Sequence, residues 1–460
     1  LKPDYNDALN NIMSTLFVAM AQASESSSPE VLSTHFDQLV KEVPEPEKPA
    51  IENAEIVSEL QDLENVVALV GTGRSGSLHF HSLFDGHPDI TTIPGPFFKG
   101  FFHPDTWTKL RRSFEAHDWR ELLTERFSDI YEILFDARSE KPVPGNPMDG
   151  QLGLSAGLTT LGADRDRFLQ LDRQAFSQNL LSLLDNFKMM DRVTFFKLIH
   201  IAYERTLGHT NNKKVLFYHI HNPNFIEAAH FIKSFRKARF IQIIREPVQS
   251  LESWCMSKLP TEFRKDEYKT WDSTYQKVLE KCLDKIFNML VTKFLSTRHP
   301  AFSCLPLKTV RLEDVRKNNR DTMLDVAQWI GVEEHESLYK PSFQGHDYWG
   351  TTKLSPQIVG SDQANIKRKV GILFSDKDVL ILNTLFYPER VFFGYKVEDE
   401  ASFRDDLARI EPLLDEPFDF ERLLCGNLPE DQLEQRTKGA LINMRHFIKT
   451  KWLYLKNHST

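Results

Sequence analysis

This sequence has few cysteines and no net basic charge. Four cysteines occur in 460 residues and none forms a CxxC pair, which excludes zinc-finger spacing and the dense disulfide pattern of small secreted domains. The formal net charge is −8, whereas proteins that bind nucleic acids or anionic membranes usually carry a net basic surface. We therefore expect no nucleic-acid partner and a reducing compartment, the cytoplasm. Because the sequence begins at Leu1 and not at a methionine, a lumenal location stays open.

Long apolar runs are missing as well. No stretch contains the ~18–20 consecutive apolar residues that a helix requires to cross a bilayer, so we expect no transmembrane segment. The nearest candidate, Ile12 to Ala23, includes Ser14, Thr15 and Gln22 and follows acidic residues. Such a stretch predicts an amphipathic helix and not a signal peptide.

The chain is longer than a single hydrophobic core usually organises, which predicts a central domain with helical additions. Residues 1–64 are predicted as an N-terminal helical extension with a proline-rich linker, 65–397 as the central domain and 398–460 as a C-terminal helical extension. Residues 98–192 would form a helical insertion within the central domain. The terminal helices also suggest a contact between two copies of the chain, a homodimer.

Four apolar runs predict buried strands of one sheet. They are Val66 to Val70, Val215 to Ile220, Arg239 to Ile244 and Leu307 to Leu312. Long helical patterns separate them, and strands that alternate with helices form βαβ units. We therefore predict an α/β fold with a central, mostly parallel sheet that helices cover on both faces. The helical patterns are Trp107 to Ala137, Phe168 to Leu184 and Trp271 to Leu295.

A glycine-rich loop follows the first of these strands and precedes a segment with helical spacing. Glycines allow a tight turn, and the N–H groups at a helix start attract an anion. Arg74 adds a full positive charge to these groups. The loop therefore predicts a site for a phosphate-bearing nucleotide. Its sequence is Gly71-Thr72-Gly73-Arg74-Ser75-Gly76-Ser77.

The residues of this loop leave several interpretations open. A Walker A loop would carry lysine and then serine or threonine after Gly76, whereas Ser77 and Leu78 stand there, which disfavours an ATP-hydrolysing motor. The dinucleotide fingerprint G-x-G-x-x-G does fit, with Asp89 near the place of a ribose-binding acid. An NAD(P)-dependent oxidoreductase is therefore one alternative, and a non-catalytic nucleotide-binding module is another. A further interpretation is a loop for the 5′-phosphosulfate of a sulfate-donor nucleotide.

A second candidate anion site follows the strand that ends at Ile244. Arg245 stands at the strand end, Pro247 is well placed to start a helix, and Ser253 comes eight residues after Arg245. This layout can bring a guanidinium and a hydroxyl round one phosphate. The alternative for Arg245 is an ion pair with Glu246 or Glu252.

Taken in this order, the two segments resemble the sulfotransferases that use 3′-phosphoadenosine 5′-phosphosulfate (PAPS). The family's [K/R]-S-G-T-[T/S] loop is matched by Arg74-Ser75-Gly76-Ser77-Leu78, and its R-x-P with a later serine by Arg245, Pro247 and Ser253. The resemblance implies a P-loop-like three-layer α/β domain. It also implies that the loop, with Gly73, holds the donor's 5′-phosphosulfate and that the second motif holds its 3′-phosphate. Arg368 and Lys369 match a closing segment that would add charge to the 3′-phosphate.

The resemblance also implies the chemistry. A sulfuryl group would move from PAPS to a hydroxyl or amine, leaving 3′-phosphoadenosine 5′-phosphate, with no metal required. Arg74 is the candidate that stabilises the leaving charge. His221 aligns with the histidine base of one branch and His219 with a lysine of the same segment, and two positions apart on a strand they share a face. A core histidine or a metal ligand is the alternative for His221.

The acceptor is not determined by these residues. A small molecule, a carbohydrate or a lipid would each fit the aromatic composition of residues 98–192, which are predicted to form the acceptor wall.

Overall fold

The structure is a computed structural model. It describes residues 37–44, 54–144, 152–209, 213–222, 225–259, 283–291, 293–294, 297, 305–350, 370–425 and 433–458. Arg368 and Lys369 lie outside these residues, as do the helices predicted before residue 37 and the first part of the helix predicted from Trp271.

Five strands form the central sheet, in the spatial order β2-β3-β1-β4-β5. Every strand pair in it is parallel, so the predicted α/β fold and all four predicted strands are confirmed. The predicted end of the fourth strand differs by one residue, because Leu312 begins a helix instead of ending the strand. The strands are β1 Asn65–Gly71, β2 Ile90–Thr92, β3 Val215–His221, β4 Arg239–Ile244 and β5 Leu307–Arg311, and a separate hairpin pairs β6 Ser342–Phe343 with β7 His346–Asp347.

Helices connect the strands and continue beyond the sheet. In chain order they are α1 Ala54–Asp62, α2 Ser77–His81, α3 Pro104–Arg111, α4 Trp119–Ile130, α5 Leu152–Ala156, α6 Arg173–Leu184, α7 Arg192–Thr206, α8 Phe225–Ser234, α9 Pro247–Lys258, α10 Leu312–Lys317, α11 Asn319–Ile330, α12 Asp376–Leu385, α13 Tyr387–Phe392, α14 Glu400–Ile410, α15 Asp419–Cys425 and α16 Gln435–His458. Residues 37–42, 283–291 and 293–294 are also helical.

Two helical patterns are shorter in the structure than the sequence predicts. The single helix predicted for Trp107 to Ala137 is wrong, because the extended backbone of Ala116 separates α3 from α4. The helix predicted from Phe168 starts at Arg173, where the Asp172 carboxylate accepts the N–H of Ala175 and fixes the first turn.

Successive residues of the strands face opposite sides of the sheet. Val66, Ala68 and Val70 pack in one hydrophobic cluster, whereas Val67 and Leu69 pack in another on the opposite face. This alternation follows from the two-residue period of a strand. The sheet is therefore the middle layer of three, as the α/β interpretation requires.

Phenylalanine dominates the first of these clusters. The sequence contains 34 phenylalanines, and those of residues 98–192 pack against α7 and the sheet. The rings of Phe98 and Phe196 are stacked, with centroids 5.4 Å apart and planes 7° apart. Phe102 meets Phe196 edge-on at 4.9 Å. The aromatic residues of the insertion thus form core in addition to any acceptor wall.

A third hydrophobic cluster joins α9 to the helices near the C-terminus. It contains Leu251 of α9, Leu382 of α12 and Leu441 of α16. This cluster includes residues on both sides of the division predicted at 397/398, and the domain division stays a prediction. Within the described residues, every helix falls short of the length and apolarity that crossing a bilayer demands.

The stacked aromatic core makes a measurable contribution to stability. Replacing Phe196 by Ala should lower the free energy of unfolding by about 3–5 kcal/mol, because a large cavity would remain in a fully buried cluster. Denaturant unfolding measures this change. Phe392→Ala is the matched control, since Phe392 is 58% exposed and its loss should change stability by only about 0.5 kcal/mol. Equal effects of the two changes would contradict this account of the core.

Candidate functional site

The predicted site lies where the order of the strands reverses. β1 is flanked by β3 on one side and β4 on the other. The chain leaves β1 towards β2 and leaves β4 towards β5, in opposite directions across the sheet, which opens a crevice at the carboxyl ends of these strands. Gly71, the last residue of β1, is in register with His221 of β3 and Ile243 of β4.

The loop from residue 71 to 77 turns so tightly that its glycines have no room for side chains. A Cβ on Gly71 would lie 2.3 Å from the Cβ of Ser77. Gly76 has φ 85°, and a Cβ there would lie 2.6 Å from the Leu312 side chain. Gly73 donates its N–H to the side-chain oxygen of Asn222 at 2.6 Å. The constraints at Gly71 and Gly76 explain why glycine stands at these two positions of the loop.

Arg74 joins the loop to the second predicted motif. Its Nε donates to the Ser253 hydroxyl at 3.3 Å, so the structure brings together the two segments that the sequence paired only by resemblance. Arg74 has φ 67°, a left-handed conformation that costs a side-chain-bearing residue about 1–2 kcal/mol. Strain of this kind is common at functional sites.

Arg245 lies beside the first turn of α9. Its Nε donates to the Gln249 side chain at 3.0 Å, and Pro247 occupies the first turn as predicted. Glu246 caps the helix by accepting the N–H of Gln249 at 2.7 Å and forms an ion pair with Arg390 at 3.1 Å. Both carboxylate oxygens of Glu246 therefore contact other groups, and the Arg245 charge acts on Glu246 as well, as the alternative ion pair would require.

Glu252, the residue before Ser253, holds a different part of the chain. One of its carboxylate oxygens accepts the backbone N–H groups of four consecutive residues, at 2.9–3.1 Å; these residues are Gly371, Ile372, Leu373 and Phe374. The predicted ion pair of Arg245 with Glu252 is thus not required to explain this buried carboxylate. The segment that follows Lys369 is fixed to α9 directly beside Ser253.

Three histidines extend from the loop into the core. His221 Nδ1 lies 3.4 Å from the Ser77 hydroxyl, and the rings of His221 and His219 lie 5.3 Å apart, on the one face of β3 that the sequence predicts. His219 Nδ1 in turn lies 3.4 Å from His81 Nδ1. His81 Nε2 lies 2.6 Å from the Thr92 hydroxyl.

This chain of contacts assigns the proton positions. Thr92 donates its hydroxyl to the carbonyl of Phe217 at 3.0 Å, so it accepts from His81 Nε2, and His81 Nδ1 then accepts from His219 Nδ1. Burial lowers the pKa of His81 to about 3 and that of His219 well below its usual value. Both rings are therefore neutral at pH 7.

His221 is also neutral at pH 7. Desolvation, with a smaller effect of the Lys99 charge, lowers its pKa to about 3. Unlike His219, which is 2% exposed, His221 is partly exposed at the end of β3. A neutral imidazole at the edge of the crevice has a free nitrogen lone pair, but with this pKa it becomes an effective base only when a nearby negative charge favours the imidazolium.

Sequence reasoning missed three charged residues around the crevice. Lys99 lies at the start of the predicted insertion 98–192, and burial lowers the pKa of its amine. Glu227 accepts the N–H of Gly100 at 2.9 Å and the Tyr218 hydroxyl at 3.2 Å, and burial raises its pKa. Lys293 reaches the loop from a helix far along the chain. Only Lys293 had a sequence signal, as the one charged residue in the apolar run 286–295.

The acid required by the dinucleotide interpretation lies at the amino ends of the strands, opposite the loop. Asp89 precedes β2, its carbonyl accepts the N–H of Val215 at the start of β3, and its carboxylate pairs with Lys214 at 2.9 Å. The loop stands at the carboxyl end of β1, seven residues and ~20 Å away along the sheet. Asp89 therefore cannot bind a ribose held by the loop. Among the described residues, no group of three His, Cys, Asp or Glu side chains is arranged to hold a metal.

Comparison with known proteins identifies relatives of this arrangement. A family model described as "Sulfotransferase family" matches residues 67–336. Among solved structures, the sulfotransferase domain from the Synechococcus PCC 7002 olefin synthase is 14% identical, with a TM-score of 0.31, covering 67% of this chain and 84% of that one. The sulfotransferase domain from the curacin biosynthetic pathway is also 14% identical, with a TM-score of 0.30 and coverages of 60% and 77%. No curated protein matches the chain.

The strained backbone of Arg74 predicts a separation of stability from binding. In Arg74→Gly, relief of the left-handed strain, about 1–2 kcal/mol, should offset the lost hydrogen bond, about 1 kcal/mol. The free energy of unfolding should therefore be unchanged or slightly higher. The dissociation constant for 3′-phosphoadenosine 5′-phosphate, measured by calorimetry, should rise at least ~10-fold because a charge-assisted contact is lost.

Arg165→Gly is the matched control for this change. Arg165 also has a left-handed backbone, φ 59°, and its guanidinium lies over the Trp349 ring, away from the loop. It should show the same strain relief with unchanged nucleotide affinity. A large loss of stability in Arg74→Gly with retained affinity would make Arg74 a structural residue.

Proposed function

The chain belongs to the sulfotransferase family, and from that premise we propose that it transfers a sulfuryl group from PAPS to a hydroxyl or amine of a small-molecule, carbohydrate or lipid acceptor. The contact between Arg74 and Ser253, 3.3 Å, carries this proposal. It joins two anion-binding segments at the ends of adjacent strands, as a nucleotide with phosphates at both the 5′ and 3′ positions would require. The other product is 3′-phosphoadenosine 5′-phosphate.

The residues at the carboxyl ends of β1 and β4 fit such a donor. Backbone N–H groups, the Ser75 and Ser77 hydroxyls and Arg74 would bind the 5′-phosphosulfate, in the cradle that Gly73, Gly76 and Leu78 complete. Arg245, Ser253 and the N-terminus of α9 would bind the 3′-phosphate. Arg368 and Lys369, outside the described residues, are proposed to add charge there. The donor supplies the sulfuryl group, and no step of this proposal requires a metal.

The protein's part in the reaction is positioning and electrostatics. In phosphoryl transfer, to which we compare this reaction, the acceptor attacks in line while negative charge grows on the leaving oxygen. Arg74 is held at the loop by its bond to Ser253, and a donor that is fixed in advance would stabilise that charge without reorganising. The strain held at Arg74 fits this role.

His221 is the residue we assign as the general base. Its ring is neutral at pH 7, lies at the open end of β3 and contacts Ser77 of the anion loop. His219 supports it from the same strand face, with its own Nδ1 proton directed to His81. Lys99 and Glu227 lie on the same side of the crevice, beside the aromatic residues of the insertion, and would contact the acceptor.

A reducing compartment, the cytoplasm, is the location we propose, in agreement with the free thiols of Cys255 and Cys425. A homodimer through the terminal helices stays a prediction.

Calorimetry with 3′-phosphoadenosine 5′-phosphate and with NADPH tests the donor. The first nucleotide should bind and the second should not, because Asp89 lies at the opposite edge of the sheet. Arg245→Gln should weaken the first nucleotide by roughly 10- to 100-fold, the value of one lost charge-assisted contact.

Arg239→Gln is the control on the same strand. Arg239 starts β4 and donates to the Trp329 carbonyl at 2.9 Å, so its loss should leave nucleotide affinity unchanged. Failure of wild-type protein to bind 3′-phosphoadenosine 5′-phosphate would remove the proposed function. Binding without turnover on any acceptor would instead favour the non-catalytic module.

His221→Asn tests the base. Transfer of radiolabelled sulfate from PAPS to a panel of phenol, sugar and fatty-alcohol acceptors should fall by roughly 10²–10⁴, because a positioned base is lost. Nucleotide affinity should stay within about twofold of wild type. His87→Asn, in a histidine that contacts the Glu333 carbonyl away from the crevice, should retain turnover. Unfolding of the His221 variant would favour the core-histidine alternative.

A further inference from the structure

Lys293 is a buried lysine between the two anion-binding segments. Its Nζ donates to the Thr72 hydroxyl of the loop at 2.9 Å and to the Ser250 hydroxyl of α9 at 2.8 Å. The side chain is 3% exposed. Lys293 lies in the helical residues 293–294. The ring of its neighbour Phe294 stacks on that of Phe386 in the apolar third cluster, with centroids 3.8 Å apart. A lysine amine is thus held at the base of the crevice beside the apolar third cluster.

Charged groups and hydroxyls face Lys293 from the end of β4, from the loop and from α9. From the end of β4 come Arg245 and Glu246, whose charges have opposite effects on the amine. From the loop and from α9 come the Thr72 and Ser250 hydroxyls. Burial, reinforced by the Arg245 charge, lowers the pKa of Lys293 to about 7. Glu246 opposes this effect, but its carboxylate also pairs with Arg390 and caps α9.

We propose that Lys293 belongs to the donor site as a positioning residue that takes up a proton when the phosphate-bearing nucleotide binds. The proposal rests on the proposed function, since it needs an anion between the loop and Arg245. Lys293 acts on that anion in two ways. Its two hydrogen bonds hold the loop against α9, and its charge adds to those of Arg74 and Arg245.

Proton uptake follows from the charges at the site. Without ligand, the buried ammonium and the nearby guanidinium repel each other, which favours the neutral amine. A negative charge about 6 Å away at an effective dielectric constant near 20 favours the ammonium by roughly two pKa units. The bound nucleotide therefore converts the half-neutral amine into a full cation, and the proton comes from the buffer.

Calorimetry in buffers of different ionisation enthalpy measures this uptake. With 3′-phosphoadenosine 5′-phosphate, wild-type protein should take up about half a proton at pH 7 and close to one at pH 8, since the free amine is increasingly neutral as the pH rises. A histidine whose pKa rose on binding would give the opposite trend, with less uptake at pH 8. The rise with pH identifies a group that titrates near 7 when free and well above 8 when bound.

Lys293→Met should abolish the uptake at pH 8 and raise the dissociation constant by roughly 10- to 100-fold. Lys197→Met is the matched control. Lys197 is a second buried lysine with a lowered pKa, but it donates to the Leu60 carbonyl at the other end of β1, so uptake and affinity should stay as in wild type. If Lys293→Met does not fold, the wild-type trend with pH decides alone.

The outcomes separate this inference from the proposed function. Nucleotide binding with uptake that is absent, or that falls from pH 7 to pH 8, overturns the role of Lys293 and leaves the sulfotransferase proposal standing. Uptake that persists in Lys293→Met also overturns it. No binding of the nucleotide at all overturns both.

Discussion

The hydrogen bond between Arg74 and Ser253 depends on a turn that few residues adopt. Arg74 and Gly76 both have left-handed backbones, and the turn returns Ser77 to within contact of Gly71. Without that turn the guanidinium would not reach α9 from the end of β1. The loop joins the buried strand β1 to helix α2, whose Phe80 and His81 are also buried. The core thus fixes both ends of the loop and maintains its strained conformation.

The same helix connects the crevice with the C-terminal part of the chain. Ser253 faces Arg74, while the neighbouring Glu252 accepts four backbone N–H groups of residues 371–374. A carboxylate oxygen that accepts four backbone N–H groups orders the segment that provides them. The C-terminal helices, which share a hydrophobic cluster with α9, therefore fix the position of α9 beside the loop as well as adding to the core.

Local patterns explain what the sequence could predict. Each strand is a continuous apolar run because both of its faces are buried, and the glycine loop is visible because its backbone leaves no room for other residues. Contacts between distant segments have no such local pattern. Lys293 lies 221 residues from Thr72 along the chain, and Glu227 becomes part of the crevice only through its bond to Gly100. Asp89 is the reverse case. Its spacing fitted the dinucleotide fingerprint, but in the parallel sheet it lies at the amino ends of the strands, opposite the loop.

The crevice carries its charges unevenly, and this asymmetry has an energetic reason. Arg74, Arg245 and Lys293 lie on the side of the loop and α9, whereas His219 and His221 on β3 are kept neutral by burial. Cations gathered in a desolvated place repel one another, so this side is less stable empty than filled with an anion. Selection for stability alone would replace Lys293 with an apolar residue, as its apolar neighbours indicate. A buried lysine at this place agrees with the anionic ligand proposed above, whose negative charge would offset the repulsion between these cations.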